Sequence, residues 1–222
     1  MIATELPAEF PWMLAVLPLA GYLVGSIPFG VIIARAHGVD LRKVGSGNVG
    51  ATNVARVLGR TWGYLCFFLD TAKGAAPVVA ASLVVRPDGG LPTPLEQACW
   101  LGAGCGAILG HVLNPWLKFR GGKGVATALG VVLGVYPYLT WTGLCALGLW
   151  IAVTLVSRYV SLGSIVAAAA FLPLVAAFNW GSLGGLWPLV TFAAAICALI
   201  IVRHRSNIRR LLAGTENKIG NG

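Results

Sequence analysis

The sequence predicts an all-helical, polytopic integral membrane protein with about seven transmembrane helices, and its composition and length carry that prediction. Of the 222 residues, 57% are hydrophobic and only 10% are charged, and the mean hydropathy is +0.81. Soluble domains carry about 25% charged residues. A span needs about 20 mostly apolar residues, so seven spans would take about 140 residues. We therefore expect residues 1–222 to form a single integral membrane domain, with no second soluble domain.

Seven apolar runs are candidates for these spans: 10–34, 62–85, 95–114, 124–137, 139–157, 161–178 and 185–202. The first is expected to remain as a span, because Glu5 and Glu9 precede it and no basic n-region is present. The run 124–137 would be only about 20 Å long as a helix. Pro137 is expected to separate it from the next run, so some spans are predicted to be short or broken.

The basic residues predict how the spans are oriented. Only Arg86 falls on one side of the predicted topology, and Lys73 lies within a span. The other fourteen basic residues fall on the opposite side: Arg35, Arg42, Lys43, Arg56, Arg60, Lys118, Arg120, Lys123, Arg158, Arg203, Arg205, Arg209, Arg210 and Lys218. Cytoplasmic loops are enriched in Lys and Arg, so the N-terminus is predicted to be outside and the C-terminus cytoplasmic. Treating 124–157 as one span would remove most of this asymmetry, which supports a break at Pro137.

The net charge of +9 is explained by this topology and does not require a nucleic acid partner. A basic face also attracts anionic lipid or an anionic substrate. All five cysteines lie in apolar segments without a CxxC pair, which indicates packing residues. The run 102–106 is rich in glycine and is typical of close helix packing. Asp70 and Lys73 lie three apart in a span, where a charge suggests function, but a mutually neutralising pair is the favoured interpretation.

Residues 44–56 form the first polar loop on the predicted cytoplasmic side. Glycines 45, 47 and 50 allow backbone N–H groups to turn toward an anion, and a helix is expected to begin near Thr52. Arg56 can bind phosphate through two N–H groups. Neutral hydrogen-bonding side chains come from Ser46, Asn48, Thr52 and Asn53. The alternative is a simple turn with an Asn/Thr helix cap, although the loop contains more polar groups than a cap requires.

Residues 110–127 form the second polar loop. Gly121-Gly122-Lys123-Gly124 precedes an apolar helix, an arrangement that predicts an anion site at a helix N-terminus. It is not a Walker A loop, because Gly124 follows the lysine where Ser or Thr is needed. The alternative is a flexible basic turn. His111 in this segment is interpreted as a hydrogen-bonding residue at a helix end.

The third polar region combines 158–164 with the tail that begins at Arg203. His204 and Asn207 lie three apart and share a helix face. A basic amphipathic anchor on anionic lipid is the alternative interpretation of the tail, but an anchor would need neither residue. The sequence has no GxSxG motif, no His-x4-Asp pair and no cluster of acids for a divalent metal. Phosphate chemistry without a metal is therefore expected.

Five motifs in order resemble the bacterial acyl-phosphate-dependent glycerol-3-phosphate acyltransferases, over essentially the whole chain. They are Gly-Ser-Gly-Asn-x-Gly-Ala-Thr-Asn-x-x-Arg at 45–56, Asp-x-x-Lys-Gly at 70–74, Gly-Gly-Lys-Gly-Val-Ala-Thr at 121–127, Arg-Tyr-x-Ser-Leu at 158–162 and His-x-x-Asn-Ile-x-Arg-Leu-x-x-Gly-x-Glu at 204–216. The resemblance implies a seven-span protein of the inner membrane with its site on the cytosolic face. It also implies acyl transfer from acyl phosphate to the sn-1 hydroxyl of glycerol 3-phosphate, with no cofactor.

The resemblance also implies roles for individual residues. Ser46, Arg56 and Lys123 are expected at substrate phosphate. Ser161, His204 and Asn207 are expected near the glycerol and the reacting centre. Gly121 and Gly122 are expected to hold the acyl-phosphate head. The other residues predicted to bind substrate are Gly45, Gly47, Asn48, Thr52, Asn53 and Gly124. Glu216 is interpreted as structural.

Direct attack by the glycerol hydroxyl is the expected mechanism, since acyl phosphate has a good leaving group and orientation can supply much of the rate. His204 would position substrate or, less favoured, act as a base. The main alternative is a transporter for an anionic solute, although no internal repeat is visible and the polar motifs fall on one face. A basic membrane adaptor would not need the Ser, Asn and Thr loops. Phosphatidyl transfer commonly uses metal-bound acids, which are absent here. The sequence does not predict an oligomeric state.

Overall fold

The computed structural model describes residues 10–85 and 92–219, which form helices and no β-strand in those two ranges. Short 3-10 turns lie at Pro115–Leu117 and Trp180–Ser182. The α-helices are α1 (Phe10–Gly25), α2 (Phe29–Ala36), α3 (Ala51–Leu58), α4 (Arg60–Val85), α5 (Pro94–Val112), α6 (Val125–Gly134), α7 (Thr140–Ser157), α8 (Val160–Phe178), α9 (Trp187–Arg203) and α10 (Arg205–Leu212). The all-helical prediction is confirmed for this part of the chain.

Several helices are long and apolar enough to cross a bilayer. Within the described residues four segments qualify: Trp12–Ala36, Arg60–Val85, Thr140–Ser157 and Val160–Phe178. A fifth qualifies if α9 and α10, bent by 54° at their junction, are taken together. Helix α6, with only 10 residues, is about 15 Å long. The count of seven spans and the orientation of the termini stay predictions, and Glu5, Glu9 and Arg86 lie outside the described residues.

The two interruptions in the apolar helices differ in how well the sequence predicted them. The predicted break at Pro137 is confirmed, because α6 ends at Gly134 and α7 begins at Thr140. The first run, predicted as continuous over 10–34, is instead divided between α1 and α2 by residues 26–28. Pro28 has no N–H to continue a helical ladder. Lys73 of α4 donates to the carbonyl of Ile27 at this break (2.7 Å).

Small residues allow the helices to approach closely. A Cβ added to Gly106 of α5 would overlap the Pro18 carbonyl of α1, and one added to Gly110 would overlap the Tyr22 carbonyl. Gly74 of α4 packs in the same way against the backbone of Thr127 in α6. These contacts are typical of small-residue packing between membrane helices, and the expectation for the glycine-rich run 102–106 holds at Gly106.

The predicted polar regions meet at one end of the helix assembly. Arg42, two residues before the first loop, donates to the carbonyls of Leu117 and Arg120 and so connects this part of the chain to the second loop. Arg203 donates to the carbonyl of Gly122 (2.9 Å), which joins the second loop to α9. Ile219 in the tail donates its N–H to the carbonyl of Arg158 (2.8 Å). This convergence creates the cavity described next.

Candidate active site

A cavity of about 200 Å³ opens at the end where the polar loops meet. Its wall includes the first turns of α3, α6, α8 and α10, represented by Thr52, Val125, Ser161 and Asn207. The first N–H groups of a helix have no intrahelical partner and lie at the positive end of the helix dipole. Four helix N-termini around one cavity therefore make a strong environment for anions.

Asn53 organises the first loop from within. Its side-chain Oδ1 accepts from the N–H of Ser46 (2.8 Å), and its Nδ2 donates to the carbonyls of Leu41, Val44 and Asn48. Asn53 is 1% exposed, and its amide is committed to the loop. It was predicted to bind substrate, whereas its contacts here hold the loop in shape, with Ser46 exposed at the cavity.

The other residues of the first loop divide into turn formers and cavity residues. Gly45 and Gly47 adopt positive φ angles of 61° and 68°, which favour glycine, and neither lines the cavity. Asn48 accepts from the N–H of Gly50 (2.9 Å) and does line it. The predicted helix near Thr52 is confirmed and begins one residue earlier, at Ala51.

Arg56 lines the cavity from α3 with an exposed side chain. Within residues 10–85 and 92–219 no hydrogen bond or ion pair engages its guanidinium. An exposed guanidinium in this position can bind a phosphate through two N–H groups, which is the role that the sequence predicts for it.

The second loop differs from the predicted anion nest. The N–H groups of Gly121 and Gly122 donate to the carbonyls of Val112 and His111 at the end of α5 (3.0 and 3.2 Å). A Cβ at Gly122 would overlap the imidazole of His111. Neither glycine lines the cavity. In this structure both N–H groups are engaged by α5, and the pair packs the loop against that helix and presents Lys123 to the cavity; their predicted role in holding a substrate head stays a prediction.

Lys123 heads a chain of hydrogen bonds across the cavity. Its Nζ donates to Oδ1 of Asn207 (2.6 Å), whose Nδ2 donates to Oε1 of Glu216 (2.6 Å). Glu216 also accepts from the hydroxyl of Ser161 (2.8 Å) and from Nε of Arg210 (2.7 Å). One carboxylate thus fixes three donors from α8 and α10, two of which were predicted as site residues.

Burial and neighbouring charges shift the ionisation of this network. Burial, followed by the nearby Arg210, Arg203 and Arg56, lowers the pKa of Lys123 to about 8, although Glu216 opposes the change. Burial alone would raise the pKa of the Glu216 carboxyl, but the hydrogen bonds from Asn207, Ser161 and Arg210 bring it below the usual value. At pH 7 the network therefore holds a carboxylate and a mostly protonated amine.

His204 lies at the bend between α9 and α10 and lines the cavity while only 2% exposed. Its Nδ1 is 2.8 Å from the carbonyl of Ile200. A carbonyl can only accept, so Nδ1 carries the proton and donates. The other ring nitrogen, Nε2, is left as the acceptor in the neutral tautomer, which is the form that can bind a substrate hydroxyl.

A buried charge pair lies beside the cavity. Lys73 Nζ is 2.7 Å from Asp70 Oδ1, with both side chains 3% exposed or less. The interpretation of these residues as a mutually neutralising pair agrees with this geometry. His111 Nδ1 lies 3.8 Å from the same carboxylate oxygen, and both Asp70 and His111 line the cavity. The carbonyl of His111 accepts from Gly122 at the end of α5, as expected of a helix-end residue, through its backbone.

Similarity to known proteins identifies the family. A family model described as glycerol-3-phosphate acyltransferase matches residues 15–214. A glycerol-3-phosphate acyltransferase from Geobacter sulfurreducens is 48% identical over 204 residues, covering 91% of this chain and 96% of the relative. Another from Aquifex aeolicus is 46% identical over 203 residues, covering 91% and 97%. The chain belongs to the glycerol-3-phosphate acyltransferase family.

Solved structures of PlsY, an integral membrane glycerol 3-phosphate acyltransferase, share the fold of this family member. The glycerol 3-phosphate form matches with a TM-score of 0.79 and 43% identity, covering 93% of this chain and 96% of that chain. The lysophosphatidic acid form matches with a TM-score of 0.76 and 42% identity, covering 93% and 95%. The resemblance inferred from the motifs is confirmed: the chain is a membrane acyltransferase.

In this acyltransferase the cavity gathers most of the residues that the sequence predicted. All six predicted catalytic residues line it: Ser46, Arg56, Lys123, Ser161, His204 and Asn207. Of the predicted binding residues, Asn48, Thr52, Asn53 and Gly124 line it, whereas Gly45, Gly47, Gly121 and Gly122 do not. The prediction did not assign Arg210, Asp70 or His111 to the site. Arg210 follows Asn207 by three residues, so helical spacing was a signal for it.

An apolar groove of about 80 Å³ adjoins the acyltransferase cavity. The two share Phe67, Val125, Trp150 and Ser164 in their walls. Beyond these residues the groove runs between α6, α7, α8 and α9, where Val132, Leu147, Phe171 and Ile196 among others line it. A polar, cationic chamber therefore continues directly into a hydrocarbon-like one. Within the described residues, no group of three or more His, Cys, Asp or Glu side chains could hold a metal ion.

Proposed function

We propose that the chain transfers an acyl group from acyl phosphate to the sn-1 hydroxyl of glycerol 3-phosphate. The products are 1-acyl-glycerol-3-phosphate and inorganic phosphate, which makes this the first acylation step of phospholipid synthesis. The observation that carries the proposal is the single cavity where four helix N-termini meet Arg56, Lys123 and Arg210 and which opens into an apolar groove. The names of the relatives support glycerol 3-phosphate as the acceptor.

The proposal includes a topology. The protein crosses the bacterial inner membrane seven times as one domain over residues 1–222, with its N-terminus outside and its C-terminus cytoplasmic. The α1–α2 pair, α4, α5, α6, α7, α8 and α9 would be the spans. Support comes from the basic residues, because Arg42, Arg56, Lys123, Arg203 and Arg210 all lie at the end that contains the cavity. Basic residues favour the cytoplasmic side, so the site faces the cytoplasm and contacts membrane lipid at its rim.

Cationic groups and helix N-termini bind the two phosphates in this proposal. Arg56 lies on α3 and Lys123 on the second loop, so each can bind an anionic group in the same cavity. Ser46 adds a neutral hydroxyl, and the first N–H groups of α3 and α6 add donors aimed at negative charge. Charge-assisted hydrogen bonds of this kind are about twice as strong as neutral ones. Two phosphate-bearing substrates thereby come into contact.

In the proposed reaction the glycerol hydroxyl attacks the acyl carbon directly and gives its proton to the donor phosphate. Both carboxylates at the cavity are engaged by cations, Asp70 by Lys73 and Glu216 by Arg210. The hydroxyl oxygen bonds to the acyl carbon, the bond from that carbon to the phosphate oxygen breaks, and the hydroxyl proton passes to the departing phosphate. Ser161, Asn207 and Nε2 of His204 orient the glycerol. Holding two reactants in place can supply roughly 7–11 kcal/mol, so neither a covalent enzyme intermediate nor a metal ion is part of the proposal.

The acyl chain occupies the apolar groove. Burying a methylene contributes about 0.8 kcal/mol, and the shared residues Phe67 and Trp150 lie where the chain would leave the polar chamber. The carbonyl carbon is then at the boundary between groove and cavity. This placement puts it within reach of a glycerol bound at Ser161 and Asn207.

The test uses purified full-length protein with labelled glycerol 3-phosphate and either acyl phosphate or acyl-CoA, each with and without a chelator. We expect lysophosphatidate from acyl phosphate alone, with a rate that the chelator does not change. Arg56→Ala should greatly weaken the reaction, while Arg35→Ala, on the exposed end of α2 and outside the cavity lining, serves as the matched control. A requirement for acyl-CoA, or loss of activity with the chelator, would overturn the proposal.

A further inference from the structure

We propose that Arg203 is a positioning residue for acyl transfer: it holds the backbone of the second loop so that Lys123 enters the cavity in a fixed position relative to His204. Arg203 does not line the cavity, so it acts through Lys123 and not on the substrate. The inference rests on the proposed function, because that proposal assigns Lys123 to substrate phosphate.

The chain on either side of Lys123 needs support from elsewhere in the protein. Gly121 and Gly122 precede the lysine, and Gly124 follows it with a φ angle of 85°. Glycine has more backbone freedom than any other residue, so a lysine between glycines is not fixed by its own segment. Its amine stays in one place only if other elements hold the neighbouring peptide groups.

Arg203 provides half of that support. Its Nη2 donates to the carbonyl of Gly122 (2.9 Å) and to the carbonyl of Gly121 (3.2 Å). The N–H groups of the same two glycines donate to carbonyls at the end of α5. The pair is therefore held through its carbonyls by α9 and through its N–H groups by α5. Hydrogen bonds from a charged donor are about twice as strong as neutral ones, so the contact from α9 is the stronger half.

The bend between α9 and α10 connects this support to the reacting centre. Arg203 is the last residue of α9, and His204 follows it at the bend and lines the cavity. Asn207, three residues further on in α10, accepts from Nζ of Lys123 (2.6 Å). The bend therefore contacts the second loop at two points, the backbone through Arg203 and the amine through Asn207. Loss of Arg203 leaves Lys123 attached to the bend by the end of its side chain alone.

A neighbouring arginine separates the effect of position from the effect of charge. Arg205 lies two residues after Arg203, is exposed, and does not line the cavity. Removing either arginine lowers the positive charge near the anionic substrates, but removing Arg203 also releases the carbonyls of the loop. Lysine at position 203 keeps a charge and three N–H donors, so it preserves the charge and most of the hydrogen-bonding capacity.

The experiment measures kcat, KM for glycerol 3-phosphate and the melting temperature of the full-length protein, with dodecanoyl phosphate as the donor. Misplacement of a group by about 1 Å can lower a rate about 100-fold, so we expect Arg203→Met to lower kcat/KM by about tenfold to 100-fold at equal folded concentration. Arg203→Lys should return to within about threefold of the parent. Arg205→Met should stay within about twofold, because an exposed charge is largely screened. Arg203→Gln, which is shorter and uncharged, should lose as much as Arg203→Met, and it replaces that variant if the latter does not fold.

A kinetic double-mutant cycle with Gly122→Ala decides whether Arg203 acts through the loop. Gly122→Ala displaces the same loop from the side of α5, and residues that act as one unit give losses that do not multiply. We therefore expect the double variant to lie within about threefold of the more impaired single variant.

Three results would refute the inference: losses that multiply in the cycle, kcat/KM equal to that of the parent in Arg203→Met, or equal losses in Arg203→Met and Arg205→Met. The parent is assayed in the same series. Any of these results alongside lysophosphatidate from the parent refutes only the role of Arg203, whereas no lysophosphatidate from the parent refutes the proposed function.

Discussion

Replacing Lys73 by methionine is expected to destabilise the protein strongly, because it leaves the carboxylate of Asp70 buried without its cation. Lys73 Nζ is 2.7 Å from Asp70 Oδ1 and 2.7 Å from the carbonyl of Ile27. It also lies 5.6 Å from the centre of the Phe29 ring. The side chain thus connects α4 to the break between α1 and α2. Methionine fills a similar volume and makes none of these polar contacts.

The size of the effect follows from burial. Removing one partner of a buried ion pair costs about 3–5 kcal/mol, whereas replacing both by neutral groups of similar volume is often close to neutral. Both side chains of this pair are 3% exposed or less, so little solvent screening reduces the cost. We therefore expect a loss of about 3–5 kcal/mol for Lys73→Met and recovery of most of it in the double variant Asp70→Asn, Lys73→Met.

The assay is a double-mutant cycle in detergent micelles, with the free energy of unfolding measured by denaturant titration for the parent, both single variants and the double variant. A coupling free energy of at least about 2 kcal/mol is expected, since residues in direct contact are not additive. Lys43→Met is the control, because Lys43 pairs with Asp40 at 3.8 Å on an exposed surface and should change stability by less than about 1 kcal/mol. Equal losses for Lys73→Met and Lys43→Met would refute the reasoning.

Four further substitutions test the site itself. Arg56→Lys should raise KM for glycerol 3-phosphate or donor about tenfold in steady-state kinetics, because a point charge replaces a two-pronged donor. The parent should lose kcat/KM as pH rises through about 8, where Lys123 loses its proton, and Lys123→Arg should lack this limb in a pH–rate profile. Gly122→Ala should lower kcat/KM, measured at fixed folded concentration, because the new methyl overlaps the His111 ring and displaces the loop. Glu216→Gln should lower the melting temperature and kcat/KM together, since an amide cannot accept from all three donors. For each of the four variants, values equal to those of the parent would contradict the contact on which its prediction rests.

Much of the fold could be predicted from the lengths of the apolar segments and the number of basic residues on each side of the membrane. The break between α1 and α2 could not be predicted in this way. Apolar length located the helices, and the charge asymmetry required the break at Pro137 that the structure contains. The break at residues 26–28 was missed, although Pro28 is visible in the sequence. At this break the carbonyl of Ile27 accepts a hydrogen bond from Lys73, which lies 46 residues away in the sequence. The hydropathy and residue pattern around Ile27 cannot reveal a contact over that distance.

The residue types of the site were predictable, but the division of labour among them was not. Ser46 and Asn53 are both polar residues of one glycine-rich loop, and the sequence assigned both to substrate. In the structure the side-chain amide of Asn53 forms hydrogen bonds with four backbone groups in and beside the loop, while Ser46 faces the cavity. Gly121 and Gly122 likewise use their N–H groups on α5. Which donors remain for a ligand depends on tertiary contacts, and composition alone does not contain them.

Glu216 shows why a carboxylate belongs in a cavity built for anions. It holds the hydroxyl of Ser161, the amide of Asn207 and the guanidinium of Arg210 at hydrogen-bond distance, and Lys123 is fixed through Asn207. Without it these groups would have to be ordered by substrate, and ordering a long side chain costs about 0.5–1.5 kcal/mol. Glu216 therefore preorganises the donors before any phosphate arrives, which is the condition under which electrostatic stabilisation is most effective. Its negative charge also offsets the mutual repulsion of Lys123, Arg203 and Arg210. The contacts that make Glu216 structural, as the sequence predicts, are therefore the same contacts that place it in the site.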